Sequence, residues 1–91
     1  MLKCVLVHEK TNKPAVVGES LKDFRGDPCV LKSWSLPYDA DPEFLKTYKG
    51  DVADLNLNRG GKIYCEEPGH SYQSQWYPSV CGLRFVVVNV E

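Results

Sequence analysis

The chain has 91 residues, 43% of them hydrophobic and 25% charged, with a formal net charge of -1, which are ordinary values for one small globular domain. No apolar run approaches the ~20 residues that a bilayer-spanning helix needs. The even charge balance argues against a DNA binder driven by bulk electrostatics, and residues 1–10 hold no long apolar stretch, so no secretory leader is expected.

In chain order, Leu2–His8 is a nearly continuous apolar run rich in Val and reads as a strand. Thr11, Asn12, Lys13 and Pro14 carry turn chemistry. Ala15, Val16 and Val17 predict a second short strand that Gly18 closes. Residues 20–24 fit either a helical turn or an irregular strand. Arg25, Gly26, Asp27 and Pro28 form a turn, in which Arg25 is a partner for the carboxylate of Asp23 or Asp27. Residues 29–36 form the next strand, and Pro37 leaves the sheet because it cannot donate to a ladder.

The best helix signal lies at about 42–49. Asp41 suits the N-cap, Pro42 the first helical position, and Glu43 the positive end of the dipole. Phe44, Leu45 and Tyr48 share an apolar patch, and Gly50 offers a left-handed end. Residues 51–57 fit a short strand or a packed loop. Asn58, Arg59, Gly60 and Gly61 form a tight turn, and Lys62–Glu66 alternates as a strand with Ile63 and Cys65 on one face. Residues 67–70 turn the chain, 71–77 return as a strand, 78–82 break it with a 3₁₀ turn, and the Val-rich stretch 83–90 is the last strand. Five or six short strands with one helical insertion predict a mainly β, single-domain, SH3-like barrel or roll, since closure removes exposed edges.

Cys4, Cys29, Cys65 and Cys81 each sit beside an apolar run and read as reduced, buried small hydrophobes. No Cys or His pair has zinc-site spacing except Cys65 with His70, so no metal is expected. No nucleophile elbow or phosphate loop occurs, so neither an enzyme nor a cofactor is expected.

Several segments together resemble a family of small phage and prophage proteins of unassigned function. They are Val-Gly-Glu (17–19), Asp-Phe-Arg-Gly-Asp (23–27), Cys-Val-Leu-Lys-Ser-Trp (29–34), Gly-Lys-Ile-Tyr (61–64) and Gln-Trp-Tyr-Pro-Ser-Val-Cys-Gly-Leu-Arg-Phe (75–85). The resemblance implies phage origin, a cytoplasmic place in an infected bacterium, and an SH3-like barrel. It brings no catalytic residues. The connection 37–59 and the turn 66–71 are longer than the family pattern, and loops on a rigid scaffold are where binding function is added.

The first functional expectation is a non-enzymatic phage accessory protein that acts by binding, as a counter-defence factor. It would sequester a small anionic, nucleotide-like ligand through Arg59, Gly60, Gly61, Lys62, Tyr72 and Trp76, which combine backbone N–H groups, cations and stacking rings. Alternatively it would mask a host defence protein through Asp41, Phe44, Leu45 and Tyr48. A second expectation is a nucleic-acid-binding barrel using Arg25, Arg59, Lys62 and Arg84. A third is a virion structural or assembly protein whose strand 85–90 adds to a neighbour's sheet. A homo-oligomer fits all three, because a small Val-edged barrel gains core by pairing.

Overall fold

A computed structural model describes residues 1–69 and 71–90. Six strands and one helix follow in the order β1 (Leu2–His8), β2 (Ser20–Lys22), β3 (Pro28–Ser35), α1 (Pro42–Thr47), β4 (Lys62–Glu66), β5 (Gln73–Trp76) and β6 (Leu83–Asn89). Short 3₁₀ turns occupy Tyr38–Ala40, Val52–Asp54 and Pro78–Cys81.

β1 and β6 pair antiparallel from Leu2 opposite Asn89 to His8 opposite Leu83, so the two ends of the domain close on each other. β2, β3, β4 and β5 form a second, four-stranded antiparallel sheet in sequence order. Residues 14–19 join the sheets. The Ala15 N–H donates to Leu6 C=O at 2.9 Å, and the Gly18 N–H donates to Leu31 C=O at 2.8 Å. This arrangement is the small β barrel or roll expected from the strand pattern.

The core is built by strand alternation. Ile63 and Cys65 of β4, Cys29 and Leu31 of β3, and Leu83 of β6 are all 0% exposed. Trp34 faces Ile63 across the ladder and packs partly buried against the same cluster. A register shift between Leu31 and Ser33 pushes Lys32 out of the pairing, where its ammonium lies 4.0 Å from Glu66.

Two elements differ from expectation. Ala15, Val16 and Val17 make no strand. Only an isolated bridge joins Val7 to Pro14, and Val16 and Val17 are exposed. Pro14 and the left-handed Gly18 (φ 96°) bend this segment between two sheets, so it cannot run along either. The adjoining segment supplies β2 instead. The helix also stops at Thr47, short of residue 49, because Tyr48 is already extended (φ -69°, ψ 129°). The Tyr48 hydroxyl donates to Asp51 C=O at 2.9 Å. Its ring occupies the space where a Cβ on Gly50 would stand, 2.7 Å from the ring carbon, so Gly50 serves this contact and not a left-handed cap.

The start of α1 is as expected. The Asp41 carboxylate accepts the Phe44 N–H at 3.4 Å and Pro42 occupies the first turn. Leu45 is buried and α1 packs against β1, which settles the insertion onto the barrel.

Truncating Ile63 to Ala removes apolar contacts on every side and leaves a void. The expected loss is about 2–5 kcal/mol, against about 0.5 kcal/mol or less for Val17→Ala. Urea unfolding midpoints of the two variants test this difference. Equal midpoints would refute the packing assigned to Ile63.

Candidate functional site

The chain after α1 runs back over the barrel and leaves a groove of about 820 Å3 against β6. β6 contributes Leu83 to Val87 to its lining, the side chains of Leu83 and Phe85 belonging to the core. Val52, Leu55 and Leu57 of the insertion line it too, as do Tyr77, Pro78 and Ser79. Glu9, Asn58 and Arg84 add polar groups. A largely apolar lining with a few polar groups is the usual form of a small-ligand site.

Local structure explains these positions. Arg84 stands between two core residues of β6 and so points out of the barrel. Its guanidinium donates to Asn12 Oδ1 at 2.6 Å, and Asn12 supports the left-handed turn (φ 58°) that puts it there. The Lys62 ammonium sits 3.8 Å from the centroid of the Tyr77 ring, and the Arg59 guanidinium 5.7 Å from that of Tyr38. Among the described residues no carboxylate lies within ion-pair distance of Arg59, Lys62 or Arg84. The nearest contrast is Arg25, which meets Asp23 at 3.5 Å, Asp27 at 3.6 Å and Glu67 at 3.5 Å.

The expected ligand set is divided by the fold. Gly61 lines the groove. A Cβ there would lie 2.7 Å from the Phe85 ring and 3.0 Å from Pro37. Gly60, at φ +84°, has the Tyr38 ring 2.8 Å from the position of its absent Cβ. The Tyr38 N–H donates to Arg59 C=O at 3.0 Å. The two glycines are thus accounted for by close approach to Tyr38, Pro37 and Phe85. Trp76 lies opposite Ile63 and faces inward, so it shares no face with Lys62 or Tyr64. Its ring packs on Phe24 at 5.4 Å, and its buried indole N–H finds no acceptor among the described residues, a cost offset by ring packing. Tyr72 is exposed at the bend before β5. Tyr64 is on the outward face, where hydrogen bonds with Ser35 and Gln75 lower its phenol pKa. His70 and its spacing from Cys65 lie outside the described residues.

The expected partner-binding set is also split. Asp41 caps the helix and Leu45 is core, while Phe44 and Tyr48 remain outside as a ring pair with centroids 5.3 Å apart. The acidic residues of the insertion are largely engaged locally. Asp39 accepts the Asn56 N–H at 2.9 Å, and Asp51 accepts the Ala53 N–H at 3.0 Å.

Of the groove's lining, Val52 and Ser79 carry no site signal in the sequence, while Asn58 belongs to the glycine-rich turn and Tyr77 to the aromatic stretch. Arg84 belongs to the nucleic-acid set of the sequence analysis. Its outward position between Leu83 and Phe85 is legible from alternation, but the groove beside it depends on where the insertion lands.

The four thiols are held protonated at neutral pH by burial. Burial pushes the Cys4 thiol up to about 11 and the Cys81 thiol up to about 12, and it raises Cys29 and Cys65 as well. Protonated thiols are weak nucleophiles. His8 Nε2 is 2.7 Å from Glu19 Oε1 at the end of β1. Comparison of the chain with protein families, with curated proteins and with solved structures returns no match.

Asp23 organises the turn beside Cys29. Burial alone would raise its carboxyl pKa. The N–H groups of Asp27 (3.0 Å) and Arg25 (2.9 Å), a hydrogen bond with Glu67 and the Arg25 charge outweigh burial and hold the pKa low. A group with a lowered folded pKa contributes stability above its unfolded pKa of about 4, and that contribution disappears as pH falls through the lower folded value. Asp23→Asn should therefore destabilise the protein at pH 7, with the gap from the parent narrowing at strongly acid pH. Urea midpoints across that range test this, and a gap independent of pH would contradict it.

Proposed function

We propose that this chain is a binding protein, not an enzyme, and that it holds a small anionic ligand with an apolar or aromatic body in the groove between the insertion and β6. The observation that carries this reading is the pairing of a largely apolar lining with the Arg84 guanidinium, which has no described carboxylate within ion-pair distance, although Glu9 lines the same groove. Arg84 lines the groove, and Lys62 rests on Tyr77, which lines it too. Val52, Leu55 and Leu57 match the body of such a ligand, while Arg84, Asn58 and Ser79 match its anionic and polar groups. A nucleotide has this division of chemistry.

The resemblance of segments 17–19, 23–27, 29–34, 61–64 and 75–85 to phage and prophage proteins supports a further reading of the same site. In an infected bacterial cell, a small protein that sequesters a nucleotide-like signal acts as a counter-defence factor. The masking of a host protein rests on less, because Leu45 and three acidic residues of the insertion are already used inside the fold.

Thermal shift with a panel of mono-, di- and cyclic nucleotides tests the reading. A ligand present at about 100 times its Kd stabilises the native state by about 2.7 kcal/mol. Arg84→Ala should remove most of that shift, and Lys32→Ala, on a different element, should leave it intact. No shift with any nucleotide, joined to steeply salt-dependent binding of DNA or RNA, would replace this reading with the nucleic-acid one.

A further inference from the structure

Three of the four cysteines, distant in sequence, meet in one place. Cys29 comes from β3, Cys65 from the neighbouring β4, and Cys81 from the end of the 3₁₀ turn Pro78–Cys81 that leads into β6. Their Sγ atoms all lie within 4.8 Å of one another. Cys29 and Cys65 are 0% exposed and Cys81 9%. Cys4, on β1, is outside the cluster.

We propose that Cys29, Cys65 and Cys81 bind one thiophilic d10 metal ion of the zinc class as a three-thiolate site. The first argument is distance. Metal–sulfur bonds of about 2.3 Å in a tetrahedral or trigonal site set the sulfurs roughly 3.8–4.0 Å apart. Sulfurs already gathered within 4.8 Å reach that spacing by shifts of a fraction of an ångström in side-chain torsion.

The second argument is donor chemistry. Soft thiolates select zinc-class and similar ions over magnesium or calcium. Zinc accepts three protein ligands with a fourth position left to water or another oxygen.

Without an ion the three thiols pack together in the core. On binding, each S–H bond gives its proton to solvent and each sulfur forms one bond to the metal. No electrons change hands, so neither oxidant nor reductant is needed. Cys81 is the least buried of the three and closes a short turn, which places the entry path at that turn.

Titration of the reduced, full chain with Cd(II) tests the site directly. The expected result is thiolate-to-cadmium charge-transfer absorption that saturates at one ion per chain, with a raised melting temperature. Zn(II) should displace or compete with Cd(II). Cys4→Ser should titrate like the parent. Cys81→Ser should lose affinity by more than the roughly 10–100-fold typical of removing an outer-shell partner. If Cys81→Ser does not fold, the stoichiometry and charge-transfer band of the parent still decide. Absence of the charge-transfer band in the parent, or its loss in Cys4→Ser, would overturn the proposal and leave the cluster as core packing.

Discussion

The insertion meets the barrel at Gly60 and Gly61, where the backbone comes so close to Tyr38, Pro37 and Phe85 that no side chain fits. Much follows from that contact. It sets the point from which β4 departs, and β4 carries Ile63 and Cys65 into the core. The returning chain, with Leu55 and Leu57, and β6, from Leu83 to Val87, line one groove. The same contact also orients Arg59, whose carbonyl accepts the Tyr38 N–H and whose guanidinium lies over the Tyr38 ring. An added methyl group at Gly61 would have to displace a core aromatic ring, a class of change that typically costs 1–3 kcal/mol.

A net charge of -1 conceals an uneven distribution. Arg25 is surrounded by Asp23, Asp27 and Glu67, so its charge is spent on holding the turn before β3. Asp39, Asp41 and Asp51 accept backbone N–H groups within the insertion. Arg59, Lys62 and Arg84 are held instead by two aromatic rings and an amide, which orient a cation without cancelling it. Composition alone cannot distinguish a cation neutralised by its neighbours from one held by neutral groups. That distinction decides which basic residues can attract an anion.

Strands with their own period were legible before folding. Leu2–His8 and Lys62–Glu66 have the expected bounds, and β6 ends one residue earlier than read. The cap at Asp41 was legible too, since a side chain acting on a backbone N–H three residues away is a local event. Ala15, Val16 and Val17 misled because strand propensity describes a half-buried pleated surface. Here Pro14 and Gly18 carry the segment across a gap between sheets. The groove was not legible, because it requires the landing point of a long connection. Nor was the thiol cluster. Ligand-spacing rules detect sites built within one loop, and Cys29, Cys65 and Cys81 are brought together by strand order and a turn.

The turn Pro78–Cys81 belongs to both candidate sites. Tyr77, Pro78 and Ser79 line the groove, and Cys81 at the end of the turn enters the thiol cluster. The turn has little slack. Gly82 follows in the left-handed conformation (φ 75°), and its N–H donates to Ser79 C=O at 3.3 Å before β6 begins. An ion held by Cys81 would therefore tie one wall of the groove to β3 and β4. Any preference of a groove ligand for that position of the wall must act back on the ion by the same factor, because coupling between two binding equilibria is reciprocal. The two sites are then linked through the four residues of that turn. Cadmium affinity measured with and without a groove ligand reads that factor directly, and equal affinities would show that the wall does not move between the two states.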